Sequence, residues 1–199
     1  MNRSLLKRII DICLSVLIIV LCLPLMLIVS IIIKIDSPGP IIYSSIRIGK
    51  NMKAIRVFKF RTMIVDAETK ITDLLHMNTY DDNFVKIKSD PRITKVGRYI
   101  RRISLDELPQ FFNVLLGDMS VVGNRPLPVY EAKKLIAENK KDRFEAEAGI
   151  TGLWQISKRK DSMSSSERID LDTYYAKRNS LYLDLKILIK TPISAIQNA

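Results

Sequence analysis

From Ile12 to Ile33 the chain runs for 22 residues without a charge, ICLSVLIIVLCLPLMLIVSIII. The hydrocarbon core of a bilayer is about 30 Å thick and takes about 20 helical residues to cross, so this segment belongs in a membrane. A cleaved secretory leader fits poorly. Its apolar core would span roughly 7–15 residues, and a small-residue cleavage site would follow. Here Lys34 and Asp36 follow instead. This one segment explains a mean hydropathy of +0.08 in a chain with 27% charged residues.

Pro24 lies just past the middle of the run. Proline removes a backbone donor and clashes with the carbonyl four residues back, which predicts a kink. A straight helix over the run measures about 33 Å; divided at Pro24 it leaves arms of about 18 and 14 Å, neither able to cross alone. Arg3, Lys7 and Arg8 precede the run, and Lys34, Arg47, Lys50, Lys53 and Arg56 follow it. Basic flanks favour the cytoplasmic side. A re-entrant helix keeps both flanks there, whereas a kinked span, the alternative, places one outside. The charge pattern favours the re-entrant form. The chain then divides into a membrane helix at 1–36 and a cytosol-facing domain at 37–199. Asp11 reads as a helix-surface charge at headgroup level, within helical spacing of Lys7 and Arg8.

The rest reads as α+β and helix-dominated, with a small strand element. DSPGPII at 36–42 ends the membrane helix. AIRVFKF at 54–60 alternates apolar and polar residues as a strand does, with IIYSSIRIG as its hairpin partner and GKNMK as the turn. Helices are expected over 64–77, through much of the stretch from Ile93 to Asp118, from about Val129 to Asn139, and over SSSERIDLDTYYAKR with a serine cap. A last apolar helix, interrupted at Pro192, covers SLYLDLKILIKTPISAI. MNTYDDN reads as a loop. The 181–189 helix, and the basic series Lys95, Arg98, Arg101 and Arg102 beside Tyr99, Phe111 and Phe112, suit either a soluble core with a solvated rim or the membrane interface.

A net charge of +11 calls for anionic partners. No nucleic-acid-binding pattern is present, which leaves anionic lipid and a phosphorylated substrate. One His and two Cys exclude a Cys/His zinc site within the chain. His76 reads as a surface residue, Cys13 and Cys22 as small hydrophobes, and Trp154 as a core residue rather than a base-stacking one.

Chemistry concentrates in Ser104-Leu-Asp106-Glu107-Leu-Pro109-Gln110. Proline is tolerated in the first helical turn, so a helix should start near Leu105 or Asp106 and place both acids at its N-terminus. Ser104-x-x-Glu107 is also a capping box, a purely structural reading. Cations surround the acids in sequence: Lys59 and Arg61 in KFRTM, Arg101 before the pair, Arg125 in a Gly/Pro loop, and Arg159 after GITGLWQ. Paired carboxylates among several Arg and Lys suit phosphoryl transfer, where developing negative charge must be neutralised.

The series KFRTM, SLDELPQFFNVLLGDMSVVG-x-RPL, GITGLWQ and LDTYYAKRNSLYLDLKIL, after an apolar helix with a central proline, resembles the bacterial sugar transferase family of monotopic phosphoglycosyl transferases. The resemblance covers essentially the whole chain. It implies a re-entrant membrane helix, interfacial amphipathic helices, and an active site on the cytosolic face of the bacterial inner membrane. It further implies transfer of a sugar-1-phosphate from a UDP-sugar to undecaprenyl phosphate, with UMP released and Mg²⁺ as cofactor. Asp106 matches the nucleophile, and Glu107 the second acid; the pair would also be the metal ligands. Lys59, Arg61, Arg101, Arg125, Arg159 and Asp172 match substrate-binding positions. Asn124 stands where many relatives carry proline, which predicts a less rigid Arg125 loop. Glu147-Ala148 and Lys158 depart from the pattern on the nucleotide-sugar side and leave the sugar open. A homodimer is left open as well, as is a non-catalytic membrane module, which would gain nothing from Asp106 and Glu107.

Overall fold

The computed structural model describes residues 3–67, 69–74, 87, 90–157 and 162–197. Arg159, His76, Lys158 and the MNTYDDN segment lie outside the described residues, as does the end of the helix expected over 64–77. Among the described residues of that expected helix only Ile71–Leu74 (α2) is helical, after a turn at 65–67.

The membrane segment is one uninterrupted helix, α1 (Arg3–Asp36), with Pro24 inside it. The chain stays helical on both sides of Pro24, so the two expected arms are parts of one element. At 34 residues it is about 51 Å long, and it is the one helix among the described residues long and apolar enough to cross a membrane. It is not uniformly apolar-facing. Asp11, Ser15, Met26, Val29 and Ile33 are buried, with Leu14, Ile18 and Cys22 partly so, in steps of three and four residues. That spacing is one helical stripe, and it packs on the rest of the chain. The opposite face leaves Val16, Val20, Leu23, Leu27 and Ile31 exposed.

The hairpin is formed by β1 (Ile42–Ile48) and β2 (Ala54–Phe60), antiparallel, with Tyr43 opposite Lys59. Next come α3 (Lys95–Arg102), a 3-10 turn at Leu105–Glu107 and α4 (Gln110–Leu116). They are followed by β3 (Ser120–Val122), β4 (Leu127–Pro128), α5 (Val129–Ala137) and β5 (Gly149–Thr151). α6 (Ser165–Arg178) and α7 (Leu181–Gln197) complete the described chain. The strands make two small sheets, β2-β1-β4 and the parallel pair β3-β5. Gly123 and Gly149 let the second pair close: a Cβ on Gly149 would stand 2.1 Å from the Gly123 nitrogen.

α6 starts as expected, with Ser164 and Glu167 forming a reciprocal capping box. The expected interruption at Pro192 is absent, since α7 runs through it. α7 turns Ile187 and Leu183 into the core while Tyr182, Leu185, Ile189 and Ile193 stay exposed. α3 behaves likewise, with Ile100 buried and Tyr99 exposed.

Asp11 is not a headgroup-level surface charge. It is 5% exposed, and its Oδ1 accepts the Val121 N–H of β3 at 3.0 Å. Lys7 donates to the Val122 carbonyl at 2.9 Å and to Asp184 at 3.1 Å. Arg8 donates to the Val114 and Leu115 carbonyls at the free end of α4. These groups add hydrogen bonds to backbone atoms at the C-terminal end of α4 and along β3.

Candidate active site

Three segments bring the acid pair and its cations together. Strand β2 carries Lys59 on the same face as Tyr43. The 3-10 turn carries Asp106 and Glu107, and α4 fixes that turn to the hairpin. Asn113 of α4 is fully buried; its Oδ1 accepts the Phe58 N–H at 2.9 Å and its Nδ2 donates to the Arg56 carbonyl at 2.6 Å. The side chain thus completes the outer edge of β2, which no strand covers.

The capping box at Ser104 is not formed. Ser104 sits in the left-handed region at φ 58° and makes no side-chain cap, and Pro109 instead precedes the first residue of α4. Glu107 therefore points elsewhere. Its Oε1 accepts from Lys59 Nζ at 2.7 Å and from Arg125 Nη2 at 3.1 Å. Lys59 Nζ also reaches Asp106 Oδ2 at 3.4 Å. Asp106 is 7% exposed. Burial pushes the Glu107 carboxyl up, but Lys59 and Arg125 outweigh it and hold the group at about 2. Glu107 in turn stabilises the charged Arg125 guanidinium against its own burial.

The Arg125 loop is pinned, contrary to the flexibility expected from Asn124. Asn124 Nδ2 donates to the Arg143 and Asp172 carbonyls at 2.7 and 2.8 Å. Its backbone N–H donates to Glu147 O, and its carbonyl accepts the Gly149 N–H. Four hydrogen bonds replace the stiffness of a proline ring. Behind the loop, buried Arg143 joins the carboxylate of Asp172, through Nε at 3.1 Å, to the Arg125 carbonyl, through Nη2 at 3.0 Å. Burial raises the Asp172 carboxyl, with Arg143 opposing that rise.

Lys59, Asp106, Glu107 and Arg125 thus converge. Asp172 is placed behind Arg125, in contact with its support rather than with the acids. Arg61 is buried and donates to the Ser37 and Pro38 carbonyls, clamping the exit of α1. Arg101 is exposed in the last turn of α3. Trp154 is half-buried rather than core, with the Arg168 guanidinium stacked 4.5 Å from its ring centre. Glu147 pairs with Lys50 at 2.6 Å. Sequence reasoning missed Arg143 and Asn113: each acts on residues far along the chain, and neither sits in a local pattern that marks it.

Comparison with known proteins finds relatives over most of the chain. The family model described as bacterial sugar transferase matches residues 2–198. The galactosyl transferase CpsE of Streptococcus agalactiae serotype III is 47% identical over 153 residues, 77% of this chain and 34% of that protein. The undecaprenyl-phosphate galactose phosphotransferase of Salmonella typhimurium is 40% identical, covering 94% of this chain and 39% of its own length. The exopolysaccharide production protein ExoY of Sinorhizobium fredii is 37% identical, covering 93% and 83%. The chain therefore spans about two fifths or less of the longer relatives and most of ExoY. With a family match over nearly the whole chain, the protein belongs to the bacterial sugar transferase family.

Proposed function

We propose that the protein is a phosphoglycosyl transferase that moves a sugar-1-phosphate from a UDP-sugar to undecaprenyl phosphate and releases UMP. The observation that carries this reading is the pairing of Asp106 with Lys59, beside a Glu107 already committed to Lys59 and Arg125. The relatives named undecaprenyl-phosphate galactose phosphotransferase and UDP-glucose:undecaprenyl-phosphate glucose-1-phosphate transferase supply the substrate class.

In this mechanism an Asp106 carboxylate oxygen attacks the sugar-bearing phosphorus. The bond from that phosphorus to the bridging oxygen breaks, and UMP leaves with the electron pair. A phosphosugar-aspartyl mixed anhydride results, which divides one displacement into two. An oxygen of undecaprenyl phosphate then attacks the same phosphorus and frees the Asp106 carboxylate. Glu107, held at about 2, stays ionised throughout and positions Lys59 and Arg125 instead of carrying a proton. Lys59 and Arg125 offset charge that develops on the phosphoryl oxygens.

Asp106 and Glu107 offer hard oxygen donors that suit Mg²⁺, which typically takes one or two carboxylates and completes its shell with water and substrate phosphates. Among the described residues no group of three or more His, Cys, Asp and Glu gathers for a metal, so the fit is to an ion shared with the substrate. Bound there, Mg²⁺ would neutralise pyrophosphate charge.

The body lies on the cytosolic face of the bacterial inner membrane, with α1 re-entrant. Support comes from the buried stripe of α1, which touches the body from Asp11 to Ile33, and from polar ties at both ends: Lys7 and Arg8 at one, Arg61 on the Ser37 and Pro38 carbonyls just past the other. A span normal to the bilayer would drag the docked polar body into the hydrocarbon. The exposed apolar residues of α7 and Tyr99 of α3 rest in the interface.

Detergent-purified protein with Mg²⁺, a UDP-sugar panel and undecaprenyl phosphate should release UMP, and Asp106→Asn should abolish it. UMP release at wild-type rate by that variant refutes the nucleophile assignment. Labelling of single cysteines at residues 2–4 from outside the cell would reject the re-entrant placement.

A further inference from the structure

One guanidinium beside the site takes no part in the mechanism above. In the hairpin, Tyr43, Ser45 and Arg47 of β1 lie opposite Lys59, Val57 and Ile55 of β2. Directly opposed residues share a face, so Arg47 stands on the face that carries Lys59. It also pairs with Pro128 of β4, which continues from the Arg125 loop. Arg47 is half-buried. Its Nε donates to Ser45 Oγ at 3.1 Å, and its two terminal nitrogens have no hydrogen-bond partner among the described residues.

The register brings Arg47 to the strand that follows the Arg125 loop. Burial and then repulsion from Arg125 work against the Arg47 charge, while Glu131 partly supports it. Arg125 is engaged through Nη2 with Glu107. A half-buried arginine with a free fork, next to a second arginine, matches the geometry that binds phosphate in bidentate fashion. The order along the site sets which phosphate. Lys59 is the cation at Asp106, whereas Arg47 stands four residues further along β1 from the partner of Lys59, beside Pro128 of the strand that follows the Arg125 loop. A phosphorus attacked by Asp106 leaves the second phosphate of a pyrophosphate on the Arg125 side.

We propose that Arg47 and Arg125 form a two-guanidinium clamp for the leaving phosphate of the nucleotide-sugar, the one that departs as the nucleoside monophosphate. The assignment rests on the transferase reading. As the bond to the bridging oxygen breaks, that phosphate gains a negative charge, and the clamp neutralises it.

The test uses full-length protein in detergent. UMP affinity is measured by direct binding and by product inhibition, alongside KM for the UDP-sugar and for undecaprenyl phosphate. Arg47→Met should weaken UMP binding by at least about tenfold. It should raise KM for the UDP-sugar and leave KM for undecaprenyl phosphate and the melting temperature near wild type. Arg47→Lys keeps the charge without the fork and should fall between; it carries the test if the Met variant fails to fold. Arg56→Ala, on the opposite face of the same hairpin, should leave UMP affinity unchanged. An Arg47→Met protein with wild-type UMP affinity, or one altered only toward undecaprenyl phosphate, overturns the clamp while the transferase reading stands. A wild-type protein that neither binds UMP nor releases it from any UDP-sugar overturns both.

Discussion

Replacing Glu107 with Gln removes one negative charge from a site where two cations share it. In the folded protein its carboxyl lies at about 2, against an ordinary value of 4.5. Its side chain is 17% exposed, so solvent screening removes little of the effect. The gap corresponds to about 3 kcal/mol of folding stability at neutral pH. A depressed folded-state value means that this contribution is present above about 4.5 and disappears as pH falls toward 2. Denaturant unfolding of wild type and Glu107→Gln in nonionic micelles, repeated between pH 7 and pH 2.5, should show the variant less stable by about 3 kcal/mol at pH 7. The difference should shrink steadily below pH 5, because carboxylates common to both proteins cancel. The same substitution frees Lys59 and Arg125, so UMP release should fall although Asp106 is intact. A stability difference that is flat across this pH range, or a Gln variant more stable than wild type at pH 7, refutes the view that Glu107 is held ionised by these two cations.

Three further substitutions probe the scaffold. Asp172→Asn leaves the buried Arg143 charge without its carboxylate, and should cost about 3–5 kcal/mol with a raised KM for the UDP-sugar, read by unfolding and by initial rates. Asp11→Ala strips the buried Val121 N–H of its acceptor and should cost about 1–3 kcal/mol in the same unfolding assay. Gly97→Ala would ordinarily favour a helix by about 1 kcal/mol, but its Cβ would stand 2.1 Å from the Thr62 carbonyl oxygen. The sign should therefore reverse, with a fall in melting temperature and in UMP release.

The hairpin was legible because its alternation is simple: the expected strand at 54–60 is the observed one. The exit of α1 was legible from its prolines. Other features needed the third dimension. An unbroken apolar run conceals its own facing, so the stripe through Asp11, Ser15 and Met26 looked like lipid-facing helix with one surface charge. Pro192 suggested an interruption that α7 does not have. Ser104 fitted a capping pattern, yet its left-handed backbone turns the hydroxyl away from that role. Lys59, Asp106, Glu107 and Arg125 were all marked as site residues from sequence, whereas Arg143 and Asn113 were not named and Arg47 was read only as a basic flank of the apolar run. The first group lies in segments rich in chemistry. The second does its work through partners distant in sequence, such as Asp172 for Arg143 and Phe58 for Asn113.

The polar ties of α1 bear on why the membrane helix and the catalytic body form one unit. Asp11 holds the Val121 N–H and Lys7 holds the Val122 carbonyl. Tyr175 of α6 and Asp184 of α7 join that contact, the tyrosine hydroxyl donating to Asp184 Oδ1 at 2.6 Å. Val122 is followed immediately by Gly123, Asn124 and Arg125. The strand that launches the phosphate-facing arginine is thus tied on one side to the membrane helix, and the loop after it is supported on the other by Arg143 and Asp172. Apolar packing alone would let α1 slide along the body by a turn at little cost, because its stripe is nearly uniform. A buried carboxylate paired to one backbone N–H has a single satisfactory register, and a slip leaves both groups unsatisfied in the core. The polar residues in the apolar run therefore set where the body sits along the helix, and with it the depth of the Arg125 loop relative to the lipid surface from which, in the proposed reaction, undecaprenyl phosphate approaches.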